Sequence, residues 1–447
     1  MPDILSALAQ RLPASERRAI LPGGFVAGGA TAGIKASGRP DLAIVASAGG
    51  PLAAAAVFTP NAFAAAPVRR SKAVLESSGG WIRAVVSTSG SANAATGAAG
   101  DADQVQVGTF VAGALGIDAG EVLHLSTGII GTRLPLDRVG PGIAALGPLL
   151  AASDEAFAAA AEALRTTDSV TKAASVRLEL LTAHGAPVAV TVSGVAKGVG
   201  MIHPRMATML AIVVTDAAAS PEVLAGILRA AAARTWDQLS VDGDTSTNDT
   251  VFLLASGASG AAPVEAGSPG ATSLGAAVEA VARDLARQQA SDGEGATCLL
   301  TCQVTGAAHD PDARAVARAV ISSSLVKAAA HGKDPNWGRI AGAAGNARLA
   351  DAAILEAGGL APDDAARLAG TAATVSPDTL RIAIAGHLVF DGSLGGPQAF
   401  DKAAASAAMG GPEILIRLDL GLGEGTGEAF GCDLTEAYVI ENSEYTT

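Results

Sequence analysis

Residues 197–215 read KGVGMIHPRMATMLAIVVT. The first half is glycine-rich and cationic. The second, from Met209, is a near-continuous apolar run of the kind that forms a central, buried strand. Thr208 stands at the seam. Strand hydrogen bonds there would fix its backbone, while the loop before it leaves the hydroxyl open to a cleft. An unassisted threonine hydroxyl is a poor nucleophile. A chain cut just before Thr208 would free an α-amino group, with a reference pKa of about 7.7–8.0, to serve as its base. On spacing alone, a threonine in this place is ordinarily a strand-forming residue and nothing more.

Elements of both kinds surround this stretch. Residues 24–70 alternate glycine-rich turns with short apolar runs, and IRAVVST at 82–88 reads as a further strand. PVAVTVS alternates Val188, Val190 and Val192 against Ala189, Thr191 and Ser193, and ILIRLDL at 414–420 alternates in the same way. Helices are signalled by Ser153 before DEAFAAAAEALR and by Ser220-Pro221-Glu222 before an apolar face of Val223, Leu224, Ile227 and Leu228. A long helix is expected over 273–290, preceded by a surface loop at 262–273. The mixture is α/β or α+β, and 447 residues suffice for two or three domains or one large two-lobed body.

A net charge of −13 with dispersed Lys and Arg argues against a nucleic-acid partner, which requires clustered cations. No charge-free run of about 18 strongly apolar residues occurs, so no membrane span is expected. The N-terminus MPDILSALAQRLPASERR lacks a basic n-region and a cleavage site, and reads as a short lead-in helix of a cytoplasmic protein. Three cysteines, Cys298, Cys302 and Cys432, fit a reducing compartment. The C-x3-C pair has no second ligand pair nearby, so buried thiols are expected and no metal site.

Several polar clusters could carry chemistry. HLSTGIIG at 124–131 offers hydroxyls and bare backbone N–H groups at a turn, donors suited to an oxyanion, although a plain β-turn explains it as well. SVDGDTSTND at 240–249 lacks the ligand register of a calcium loop and reads as caps and turns. SDGEG at 291–295 places Glu294 between glycines, as a turn carboxylate or a group aimed at an amine. HGKDPNWGR at 331–339 is dense enough in polar groups to be a binding loop. No phosphate loop, H-E-x-x-H or G-x-S-x-G is present, and the six histidines are scattered.

Together and in this order, GFVAGGATAGIK, VFTPN, STGIIG, TTDSVTK, AKGVGMIHPRMATML, VDGDTSTNDT, SDGEGAT, SSLVKAAAHGKDPNWGRI and CDLTEAYVIENSEYTT resemble the ornithine acetyltransferase (glutamate N-acetyltransferase) family of arginine biosynthesis, over nearly the whole chain. The resemblance implies a precursor that cuts itself between Ala207 and Thr208. An α chain of residues 1–207 and a β chain of residues 208–447 would result, the latter starting with the nucleophile. It implies an oxyanion hole from Thr127 and Gly128, and substrate contacts from Thr166, Lys197, Thr208, Glu294, Asn442 and Thr447, with Thr167 not excluded in place of Thr166.

The implied reaction is ping-pong, with acetyl passing from N-acetyl-L-ornithine to Thr208 and then to L-glutamate. No metal or organic cofactor is needed, and acetyl-CoA stands as a possible second donor. The implied fold is a two-lobed helix–sheet–sheet–helix sandwich, with α and β chains assembling as an α2β2 heterotetramer. Thr88, Ser91 and Arg205 depart from asparagines common in the family. Rival readings are an aminopeptidase or amidase of the same superfamily and a paralogue in secondary metabolism. A catalytically dead binding protein would be expected to lack Thr208, Glu294 or the oxyanion pair.

Overall fold

The apolar run forms the strand Leu210–Thr215, all six residues buried, in a computed structural model that describes Ile4, residues 12–203 and residues 209–443. The strand lies inside a six-stranded sheet ordered Trp81–Ile82, Leu52–Phe58, Thr250–Ala255, Leu210–Thr215, Pro187–Lys197 and Lys172–Leu181. It runs parallel to Thr250–Ala255 and antiparallel to Pro187–Lys197, so Leu210 faces Thr250 on one flank and Lys197 on the other.

The sheet is buried on both sides because successive side chains alternate faces. Ala211 and Val213 pack with Leu224 and Leu228 of the helix Pro221–Arg234 and with Leu274, Val278, Val281 and Leu285 of the helix Pro269–Ser291. Leu210, Ile212 and Val214 pack instead with Phe25, Val45, Leu123 and Leu125 of a second sheet. Each such aliphatic side chain contributes about 1.5–3 kcal/mol by leaving water.

The second sheet has four strands, Phe25–Ala30, Leu42–Ser47, Ala84–Ser91 and Val122–Ile129. The helices Gly97–Leu115 and Leu136–Leu146 cover its outer face through Val107, Val111, Val139 and Ile143. The helix Asp154–Leu164 sends Phe157, Ala160 and Leu164 into the core between the sheets. This half is therefore the expected helix–sheet–sheet–helix stack, with one helix wedged into it.

The other lobe is built on a seven-stranded sheet that includes Leu299–Ala307, Glu413–Asp419 and Gly425–Cys432. One face packs on Val316 and Val320 of the helix Asp310–Ser322 and on Ile340 of the helix Trp337–Gly345. The opposite face meets the helix Pro269–Ser291, whose Arg283 and Arg287 lie over the Phe430 ring at 5.5 and 5.6 Å. That one helix serves both lobes, apolar toward the six-stranded sheet and cationic toward the seven-stranded one. Its start corrects the loop expected at 262–273: Ser268 caps it by accepting from the Ala271 N–H, with Pro269 at the first helical position. The turn-like dipeptide Pro-Gly there is helical. Of the expected lead-in helix, most falls outside the described residues.

His124 is wholly buried beneath the helix Gly97–Leu115, its Nδ1 accepting from Gln104 Nε2 at 2.9 Å. Burial, with Arg70 adding repulsion, pushes its pKa from 6.5 down to about 3. Between those values the unfolded chain takes a proton that the folded chain refuses, so stability falls as the medium is acidified. The slope from this one group is at most about 1.4 kcal/mol per pH unit. Urea midpoints measured between about pH 7 and pH 5 should fall, and His124→Gln should flatten the decline. An unchanged slope in the variant would contradict this account.

Candidate active site

A cavity of about 240 Å³ opens where the two N-terminal sheets meet the start of Leu210–Thr215. Of the candidate residues named from sequence, Thr127, Gly128, Thr166, Lys197, Glu294 and Asn442 all line it, and so does Thr167. Ala207, Thr208 and Thr447 lie outside the described residues. Met209 donates its N–H to Asp249 Oδ1 at 3.0 Å, and its carbonyl accepts from the Thr250 N–H.

Thr127 and Gly128 are not in a turn, as 124–131 had suggested, but inside the strand Val122–Ile129. Their strand pairs in parallel with Ala84–Ser91, and the register shifts at Gly90 and Ser91. Gly128 has φ +130°, and a Cβ there would stand 2.3 Å from the Gly90 carbonyl carbon. Only glycine fits. The irregularity leaves Thr127 and Gly128 facing the cavity at the strand's end.

Lys197 is the last residue of its strand and is 4% exposed. Its Nζ donates to Thr127 Oγ1 at 3.2 Å and lies 4.0 Å from Asp168 Oδ2. Burial lowers its pKa, and the Asp168 carboxylate opposes that shift. Because the ammonium donates to the Thr127 oxygen, the threonine's own proton is left for an acceptor in the cavity.

Glu294 closes the opposite end, just beyond the helix Pro269–Ser291, and is 8% exposed. Its Oε1 accepts from Thr167 Oγ1 at 3.0 Å and its Oε2 from Asn442 Nδ2 at 3.0 Å. Thr167 holds the carboxylate, while Thr166 is tied by its N–H to Asp168 Oδ2 at 3.1 Å, and both line the cavity. A Cβ on Gly200 would fall 2.1 Å from Glu294 Oε2, so that glycine makes room for the carboxylate.

Asn442 is carried by the C-terminal helix Glu436–Ser443, which buries none of its residues. The helix is anchored by His331, whose Nδ1 lies 3.2 Å from Asp433 Oδ2 and whose Nε2 lies 3.1 Å from Glu436 Oε2. This is where HGKDPNWGR acts. None of its residues lines the cavity, which corrects the expectation of a binding loop. Asn336 caps the helix Trp337–Gly345, and Trp337 stacks on Phe390 at 5.0 Å. The polar density of 331–339 is spent on a cap, an aromatic stack and the clamp on the C-terminal segment.

Sequence reasoning missed the wall formed by Ser246, Thr247 and Asn248. Asn248 Nδ2 donates to the Ala92 carbonyl at 2.7 Å and the Ser126 carbonyl at 2.8 Å, pinning its loop to the ends of the four-stranded sheet. By sequence the stretch reads as caps and turns, because nothing local distinguishes a cap from a cross-sheet bond. Thr88 and Ser91, the departures from family asparagines, bond to Ser126 Oγ and the Thr132 carbonyl and do not line the cavity. The three cysteines are free and buried, and no group of three or more His, Cys, Asp or Glu that could hold a metal occurs among the described residues. No helix among them is long and apolar enough to cross a membrane.

Comparison with known proteins places these residues in context. The ArgJ family model matches residues 26–447. The chain belongs to the ArgJ family. The arginine biosynthesis bifunctional protein ArgJ of Thermus thermophilus is 43% identical over 427 residues, covering 96% of this chain and 99% of the relative. That of a Synechococcus species is 42% identical over 437 residues, covering 95% and 96%. A solved ornithine acetyltransferase from Mycobacterium tuberculosis, complexed with ornithine, is 40% identical over 43% of this chain and 98% of its own, with a TM-score of 0.39.

Asn248→Ala would strand two buried carbonyl oxygens, at a cost of about 2–4 kcal/mol. The unfolding free energy should fall by that amount, read as a lower denaturant midpoint at an unchanged slope; a midpoint within error of the parent would show that Asn248 does not hold the sheets together.

Proposed function

We propose that this ArgJ-family protein is an acyltransferase that moves acetyl from N-acetyl-L-ornithine to L-glutamate through an ester on Thr208. The observation that carries the reading is the convergence, on one cavity, of Thr127 and Gly128 from one sheet, Lys197 from the other and Glu294 beyond the long helix. They meet at the N-terminal end of the strand that follows residue 208.

The chain first cuts itself. The Thr208 hydroxyl attacks the Ala207 carbonyl, the acyl group shifts from nitrogen to oxygen, and water opens the ester to give residues 1–207 and 208–447. The freed α-amino group then takes the hydroxyl proton as Thr208 attacks the acetyl carbonyl of the donor. Charge that develops on the carbonyl oxygen is met by the Thr127 hydroxyl and the Gly128 N–H, with the Lys197 ammonium polarising Thr127 from behind. The donor's side-chain ammonium faces Glu294, whose carboxylate Thr167 and Asn442 hold in place. The Thr208 amine returns its proton to the departing ornithine nitrogen. Glutamate attacks the acetyl ester in the second half, and the same hole supports the second tetrahedral intermediate. No step calls on a metal.

The relatives are named bifunctional, which supports acetyl-CoA as a second acetyl donor to glutamate. The two chains of one precursor would remain together, pairing as α2β2, in the cytoplasm. Glutamate distinguishes this reading from a hydrolase built on the same threonine: ornithine release in the absence of glutamate should stop after one turnover, and N-acetylglutamate should form when it is added. Continued release without glutamate would make the protein an amidase.

Thr208→Ala should remain one uncut chain on a denaturing gel and be inactive, and a cut or active variant would remove the proposed nucleophile. Glu294→Gln deletes the charge facing the donor ammonium, a loss of about 1.5–3 kcal/mol. The KM for N-acetyl-L-ornithine should rise about tenfold or more while kcat moves less. An unaltered KM would mean that the donor binds elsewhere.

A further inference from the structure

Beneath the cavity lies a buried ionic cluster that the reaction above does not use. Asp168 and Lys172 are both essentially inaccessible. Lys172 Nζ donates to Asp168 Oδ1 at 2.7 Å and to Asp292 Oδ2 at 2.6 Å. Asp168 Oδ1 also accepts from the Gly198 N–H at 2.7 Å, and Oδ2 accepts from the Thr166 N–H. Lys197 Nζ sits 4.0 Å from that same Oδ2. A carboxylate held by so many donors is locked in place. Burial opposes its ionisation, but Lys197, Lys172 and the Gly198 N–H outweigh burial and hold it well below the usual carboxylate range.

Burial works against a charge on Lys197. Among the described residues, five ionisable groups face it. Lys172 and Lys35 are cations and work against it. Asp249 is fully buried, and its desolvation drives its pKa well above the ordinary value, which favours the neutral acid. Glu294 acts from the substrate end, where both oxygens are committed to Thr167 and Asn442. Asp168 remains, the carboxylate within ion-pair distance of Lys197 among the described residues.

We propose that Asp168 is the positioning residue of the oxyanion hole: its buried carboxylate keeps Lys197 protonated and aimed at the Thr127 hydroxyl, with Lys172 as the counterweight that tempers the attraction. Asp168 is not among the residues that line the cavity. It acts by way of Lys197, and it also fixes the backbone on either side of the cavity through Gly198 and Thr166. The proposal rests on the acetyltransferase reading for the consequence of a charged Lys197, but not for the charge itself.

Opposite substitutions separate this role from general structural damage. Transfer needs the charged lysine, so kcat/KM should fall as pH rises through the Lys197 pKa. Asp168→Asn removes the attraction and should move this alkaline limb to lower pH by about one unit or more. Lys172→Gln removes a repulsion and should move it to higher pH. A purely structural role would lower kcat in both and leave the limb where it was, or move it the same way in both; either result overturns the proposal.

Titration of Lys197 by NMR of protein labelled with [ε-13C]lysine, the signal assigned by its loss in Lys197→Arg, gives the same two shifts without reference to activity. Should Asp168→Asn fail to fold, the upward shift in Lys172→Gln decides. An unmoved Lys197 signal or a downward shift in Lys172→Gln refutes the proposal. Correct NMR shifts in a protein that makes no N-acetylglutamate would instead refute the transferase reading and leave the role of Asp168 standing.

Discussion

The register that sets Leu210 against Lys197 on one flank and Thr250 on the other is the constraint on which the rest of the site depends. Because Leu210–Thr215 is buried on both faces, a slip of one residue would turn every side chain to the wrong core. The register is therefore held by the full weight of two hydrophobic layers. It brings the end of the Lys197 strand, the start of the strand after residue 208 and the Asp249 carboxyl to one place at the sheet's end. The second sheet then needs only to present Thr127 and Gly128 across the gap, and Asn248 ties the two together.

Polar groups at such a place are costly unless every one is answered. The molecule answers them by sorting charge. Lys172 and Lys197 face Asp168 and Asp292 beneath the cavity, Asp249 is driven toward its neutral form, and the carboxylate of Glu294 is placed at the far end, where its oxygens are held by a hydroxyl and an amide. The cavity thus has the Lys197 amine beside Thr127 at one end and the Glu294 carboxyl at the opposite wall. That polarity suits a substrate that develops negative charge on one atom while carrying a positive charge on its side chain. The clamp of His331 on Asp433 and Glu436 brings the C-terminal helix to that wall without burying it, so that, among the described residues, the C-terminal helix adds the Asn442 side chain to a site made mainly by the other lobe.

Much of this was legible in the sequence. The strand after Met209, the capped helices at Ser153 and Ser220 and the alternation of Val188, Val190 and Val192 follow from local periodicity and capping chemistry, and the structure contains them. The candidate residues within the described chain, Thr127, Gly128, Thr166, Lys197, Glu294 and Asn442, are those the family resemblance implies, and they meet at one cavity. What stayed hidden was long-range. Asp168 was one letter in TTDSVTK until folding set it under Lys197. Asn248 looked like a turn residue because its partners, Ala92 and Ser126, are more than a hundred residues away in the chain. The segment 331–339 misled in the other direction, since local polar density cannot tell a clamp from a binding loop.

The account stands on the acetyl group passing through Thr208. Mixing the protein with N-acetyl-L-ornithine in the absence of glutamate, quenching in acid and mapping the peptides by mass spectrometry tests this most directly. The expected result is one acetyl group, as an ester, on the N-terminal residue of the fragment that begins TMLAIVV, lost when glutamate is added before the quench. An acetyl group on any other side chain, or turnover by a chain still joined at Ala207–Thr208, would contradict it.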